Sequence, residues 1–234
     1  MNKMWRNIHF AFVWILAIGT VSTSRIALGY DIIEVPKHYP TIQDAVDHVK
    51  AGGWILVRPG TYNEIVRVRT LNVLIYGHPG EHPVVEGGFV VESDGVKIHE
   101  IDIKVTEEAV VGIALTGTDY LPQEEIELTN NIIYPSDTGA VRGIGLAVCI
   151  RCKISGNYID GFELEGLAVH GNSKGTVIRG NTVVHNLMYG INLSPTSQFA
   201  QVIDNITEFN KTCDIIDSGL SNKIKRNDAA KLCR

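Results

Sequence analysis

Apolar and polar residues alternate in short runs along most of this chain, and the runs recur with a fixed period. Ile154-Ser-Gly-Asn157-Tyr-Ile159, Ile178-Arg-Gly-Asn181-Thr-Val183 and Val202-Ile-Asp-Asn205-Ile-Thr207 place an asparagine inside an apolar segment every 24 residues. A second series, Gly166-Leu-Ala-Val, Gly190-Ile-Asn-Leu and Asp214-Ile-Ile, carries Leu167, Ile191 and Ile215 at the same spacing. Two interleaved strand series sharing one period predict a solenoid, in which each coil buries its apolar face against the next.

Earlier coils follow the same pattern with longer steps. Aligning Ile98-x-x-Ile101-x-Ile103 with the later repeats gives one column: Ile101, Asn131, Asn157, Asn181, Asn205 and Asn227. The longer early steps predict insertions, and Thr116 to Glu125, with Pro122 and several acids, reads as a protruding loop. An asparagine at a bend tolerates unusual backbone angles, and its amide can bond to identical amides above and below. The column therefore reads as scaffold, with any chemistry left to the outward positions between asparagines.

One helix is predicted, over about residues 41–51. Thr41 is placed to cap it, Asp44 follows three residues on, and Ile42, Ala45, Val46 and Val49 fall on one face before Gly52-Gly53. A short one-sided helix ahead of a solenoid would cover the open end of its core. The coils are expected over about residues 54–228.

Residues 1–29 read as a secretory signal: Lys3 and Arg6, an apolar run from Phe10 to Val21, and Ala27-Leu28-Gly29 before Tyr30. Arg25 is unusual in such a segment, so an uncleaved anchor is the alternative. The expected location is secreted, periplasmic or extracellular, with residues 30–234 as one domain. Cleavage removes three basic residues and takes the net charge from −5 to −8. An acidic chain lacks the basic face that nucleic acid or an anionic membrane requires. Cys149, Cys152, Cys213 and Cys233 favour one or two disulfides in an exported chain, their pairing open. Cys149-x-x-Cys152 has redox or zinc spacing, but no second pair completes four ligands.

These repeats resemble the right-handed parallel β-helix, or pectin-lyase-like, superfamily, in its short I-x-x-N-x-I form. The block Val35-Pro-x-x-Tyr39-Pro-Thr-Ile-Gln43-Asp-Ala-Val with Val57-x-Pro59-Gly60-Thr-Tyr62-x-Glu64 is similar to the cap and first coil of pectin methylesterases and of copper-accessory proteins of nitrous oxide reductase. The resemblance implies an all-β solenoid and, for function, binding or processing of an extracellular or cell-wall polysaccharide. An enzyme of this kind would be a lyase, hydrolase or epimerase. A polyuronate substrate would call for calcium, because the chain is itself acidic. The catalytic motifs of pectin methylesterases and the calcium-binding acids of pectate lyases find no match. Arg142, Arg151 and Arg179 are the arginines nearest the lyase base. The fold is shared by many activities, so residues must decide.

Phase singles out one cluster. Asp160, Glu163 and Glu165 follow Asn157, and His185 and Tyr189 follow Asn181, while strand alternation turns His170 and Asn192 outward. One shallow groove is predicted, with Asp160, Glu165, His170, His185 and Tyr189 as catalytic candidates and Glu163, Asn192 and Arg179 as substrate-binding ones. Paired carboxylates can protonate a leaving oxygen and activate water, and a tyrosine ring can stack on a sugar. His78 and His82, across a proline turn, are the candidate metal ligands. A metal-handling accessory protein and a non-catalytic scaffold or adhesin are the competing readings.

Overall fold

The computed structural model describes residues 32–78, 80–136 and 139–234. The expected signal at 1–29 lies outside them, as does Pro79 between the two histidines. Apart from one helix, the described chain is a stack of parallel strands in three faces. Face A is a nine-stranded sheet from Ile32–Val35 to Lys223–Lys225. Faces B and C share a fourteen-stranded sheet, because Thr61–Val68 and Val84–Val91 each run across both. The first half of Val84–Val91 pairs with Asp102–Val105 on face B and its second half with Val111–Leu115 on face C. From there on the two faces are separate strands.

The segment around each asparagine is thus two strands meeting at a corner. Lys153–Ser155 lies on face A and Tyr158–Asp160 on face B, and Asn157 between them is 1% exposed. The residue before each column member makes the turn: Glu100, Asn130, Gly156, Gly180, Asp204 and Arg226 have φ between 53° and 66°. The next side chain is thereby aimed inward.

Inside, the column forms a ladder. Asn131 Oδ1 accepts the Ile101 N–H, and Asn157 Oδ1 accepts both the N–H and the Nδ2 of Asn131 at 3.0 Å. The pattern repeats through Asn181, Asn205 and Asn227 at 2.8–3.0 Å. Each Nδ2 also donates to a carbonyl of the preceding coil, such as Asn181 to Ile154 O at 2.9 Å. Buried amides and corner N–H groups are satisfied together, as burial demands.

A second ladder stands at the corner between faces B and C, where only two asparagines, Asn186 and Asn210, recur at the 24-residue period. Asn186 Oδ1 accepts the Phe162 N–H, and Asn210 Oδ1 accepts the N–H and Nδ2 of Asn186. Its space is made on face C by glycine. A Cβ at Gly166 would lie 2.8 Å from Asn186 Nδ2, and one at Gly190 would lie 2.6 Å from Asn210 Nδ2. The following residue in that register is Asp214, 1% exposed, whose Oδ1 accepts from Asn210 and whose Oδ2 accepts the Lys231 N–H at 2.8 Å. A carboxylate thus closes the second ladder where the last coil has no asparagine to offer.

The core between the faces is isoleucine, valine and leucine, including Ile98, Ile103, Leu128, Ile133, Ile144, Leu167 and Ile191, all fully buried. The helix α1, Ile42–His48, covers the N-terminal end, with Ile42, Ala45 and Val46 turned into the core. Thr41 caps it as expected, accepting the Asp44 N–H at 3.0 Å. Glu64 also takes part, accepting the N–H groups of Ile42 and Gln43 at 2.8 Å. The helix stops at His48 rather than 51 because Val49 is already extended, at φ −69° and ψ 139°.

Both cysteine pairs are disulfides, Cys149–Cys152 and Cys213–Cys233. The first bridges a corner; the second ties the last coil to the one before. The loop expected over Thr116–Glu125 protrudes at Tyr120 and Leu121, 95% and 78% exposed, but Gln123–Glu124 pairs with Cys149–Ile150. Gln123 is buried, its amide bonded to Val91 O and to the Gly117 N–H.

Candidate functional site

The predicted residues divide between faces. Phe162 and Asn186 turn the chain inward between Asp160 and Glu165 and between His185 and Tyr189. Asp160 and His185 therefore belong to face B and its corner, and Glu165, Tyr189 and Asn192 to face C. Arg179 stands on face A, paired with Asp204 at 3.3 Å, away from the rest.

On face B the outward positions form a strip that mixes aromatic and aliphatic side chains with acids. Ile132, Tyr158, Thr182 and Ile206 stack in one register, and Tyr134, Asp160, Val184 and Glu208 in the adjoining one. Adjacent coils are about 4.8 Å apart. At the corner beyond this strip, His185 and Phe209 stack with centroids 5.4 Å apart and planes 12° from parallel. His185 Nδ1 lies 2.9 Å from Asp160 Oδ1, and Tyr158 donates its hydroxyl to Asp160 Oδ2 at 3.1 Å. Partial burial and that hydrogen bond raise the Tyr158 pKa, so the phenol keeps its proton. With Nδ1 engaged, Nε2 is the imidazole nitrogen left to meet a ligand.

His185 and Phe209 sit at φ 55° and 57°, the left-handed region, where Gly161 serves the same corner one coil earlier. A side chain there costs about 1–2 kcal/mol over glycine. The strip is also exposed: Phe209 by 72%, Ile206 by 46% and Tyr158 by 40%. Left-handed residues turn the other corners too, so what sets this corner apart is that its outward side chains are a phenyl ring and an imidazole stacked on it.

On face C, Glu165 is nearly buried. It takes Arg142 Nε on Oε2 at 2.5 Å and Asn192 Nδ2 on Oε1 at 3.2 Å, with Tyr189 beside it in register. Both oxygens are engaged, so this carboxylate fixes Arg142 and Asn192 in place. His170, at the far end of the strand, has its pKa lowered by burial, with Arg142 adding to the effect. It is neutral near pH 7. Glu163 is exposed at the corner and accepts the Gly139 N–H at 2.9 Å.

The two histidines of the proline turn face different carboxylates, His78 Nδ1 lying 3.4 Å from Glu81 and His82 Nδ1 3.2 Å from Asp102. Among the described residues no three histidine, cysteine or acidic side chains form a group able to hold a metal ion. A cavity of about 410 Å³ near the N-terminal end is lined by Asn63, Glu64, Glu86, Glu107 and Glu108. Glu64 there is already spent on helix α1 and Glu86 on Lys104. No described helix is long and apolar enough to cross a membrane.

Of the residues singled out in the sequence, Asp160 and His185 meet in the structure, whereas Tyr134, Tyr158 and Phe209 beside them were not among the candidates. Tyr158 carried a signal, since it directly follows Asn157 and alternation with the buried Ile159 turns it outward. No curated protein matches this sequence. The pattern of the right-handed β-helix region matches residues 79–229, more than half of the chain. With parallel strands stacked in three faces and asparagines laddered through their corners, the chain belongs to that right-handed β-helix family.

Proposed function

We propose that this protein is exported and binds an extracellular or cell-wall polysaccharide along face B. The observation that carries the reading is the strip running from the half-buried Tyr134 through the exposed Tyr158 and Ile206 to Phe209, with the Asp160-held imidazole stacked on Phe209. A sugar ring has one face of C–H groups and an edge of hydroxyls, and it binds where an aromatic plane lies beside oriented polar atoms. Successive coils repeat every ~4.8 Å, so a chain laid along the strip passes Tyr134, Asp160, Val184 and Glu208 in turn. Two disulfides support export, because such bonds persist in oxidising compartments. If the bound chain is also cleaved, His185 Nε2 is the proton acceptor, with Asp160 holding the ring.

Titration calorimetry with a panel of soluble oligosaccharides tests this. Binding is expected, with Phe209→Ala or Tyr134→Ala weakening it about tenfold, the loss of roughly one stacking contact. A panel that yields neither binding nor new reducing or unsaturated ends would overturn the proposal.

A further inference from the structure

The charges around the strip narrow the ligand, on the reading that face B binds a glycan. Three of its carboxylates have a basic side chain at hydrogen-bond range: Glu86 has Lys104 at 3.0 Å, Asp102 has His82 at 3.2 Å and Asp160 has His185 at 2.9 Å. Two others stand beside the aromatic end without one. Glu208 directly precedes Phe209 and continues the register of Asp160 and Val184; Asp228 continues that of Tyr158, Thr182 and Ile206. Neither has a cation within ion-pair distance among the described residues. Nearby, Arg226 is bonded to Asp204 through Nε and Nη2, which leaves it committed. Lys211 lies past the corner, beyond the inward Asn210.

We infer that the strip selects a polymer of amino sugars carrying free ammonium groups, seated with its rings on Tyr158 and Phe209 and its nitrogens toward Glu208 and Asp228. The geometry suits the chemistry. The two carboxylates flank Ile206 and Phe209, so a ring stacked on those side chains places an equatorial amine within reach of one or the other. A polyuronate would set its own carboxylates against the same pair, on a chain whose net charge is −5 throughout and −8 without residues 1–29. Like charges at such range cost binding, and the field of the whole chain adds to the penalty. Selection by repulsion as well as attraction gives discrimination that stacking alone does not.

The test compares a glucosamine hexamer, its fully N-acetylated counterpart and a galacturonate hexamer on the full chain by calorimetry at two salt concentrations. The glucosamine oligomer is expected to bind at least about tenfold more tightly than either of the others, and to weaken as salt rises. Glu208→Gln with Asp228→Asn is expected to reduce that preference about tenfold and flatten the salt dependence, while Phe209→Ala weakens all glycans alike. Galacturonate binding as tight as glucosamine binding, or a preference unchanged in the double variant, overturns the inference while leaving the glycan strip standing. Absence of binding to every oligomer overturns both.

Discussion

The two internal ladders solve one problem in different ways. At the corner between faces A and B, five asparagines follow one another from Asn131 to Asn227, and every buried amide meets another. At the corner between faces B and C the ladder has, among the described residues, Asn186 and Asn210, preceded by Phe162 and closed by Asp214. The long ladder ends half-buried, near solvent. The short one ends in the interior, where an unmet donor has no water to turn to, and a carboxylate borrowed from the glycine column takes the place of the missing amide.

The largest effect is expected at the centre of the long ladder. Asn181→Ala strips the acceptor from both the N–H and Nδ2 of Asn157, and the donor from Ile154 O and Asn205 Oδ1. A loss of about 3–5 kcal/mol is expected, since each unmet buried group costs roughly 1–3 kcal/mol. Urea unfolding, read from the midpoint at constant slope, measures it. A loss no larger than that of a surface substitution would show the ladder to be passive packing.

Asp214→Asn is the sharper comparison between the two corners. The carboxylate serves Asn210 with one oxygen and the Lys231 N–H with the other, whereas an amide has one oxygen and must set an N–H against a donor. A cost of about 1–2 kcal/mol is expected by the same unfolding assay. An unchanged midpoint would mean that the ladder does not need its carboxylate end.

The smallest effect lies outside both ladders. Hydrogen bonds from Lys37 and Arg58 lower the Glu34 pKa from 4.5 to about 2. A group depressed in the folded state contributes above its unfolded value and loses that contribution as pH falls through the folded one. Wild type should therefore lose its small advantage over Glu34→Gln between about pH 4.5 and pH 2, which thermal melts across that range would reveal. A gap that stays constant with pH would show the Glu34 pairs to be without weight.

The long ladder was legible because it repeats: three asparagines at intervals of 24 residues cannot be missed, and Ile101 fell into their column by its neighbours alone. Its shorter companion was not, for Phe162 and Asp214 share no residue type with Asn186 and Asn210. Gly166 and Gly190 were visible as repeats, yet nothing in the sequence says that their missing side chains make room for an amide. The candidate site fared likewise. Asp160 and His185 are 25 residues apart and meet, whereas Glu165, five residues from Asp160, is carried to another face by one inward turn at Phe162.

By itself, then, the sequence determined the solenoid, the run of its first corner and the helix that seals one end, because periodic burial and capping are local properties repeated along the chain. Only the tertiary structure decided which cysteines pair, where the second ladder ends and which outward side chains share a face. Those depend on the register between coils, and at each corner a single left-handed residue sends the next side chain inward and the following strand onto a new face.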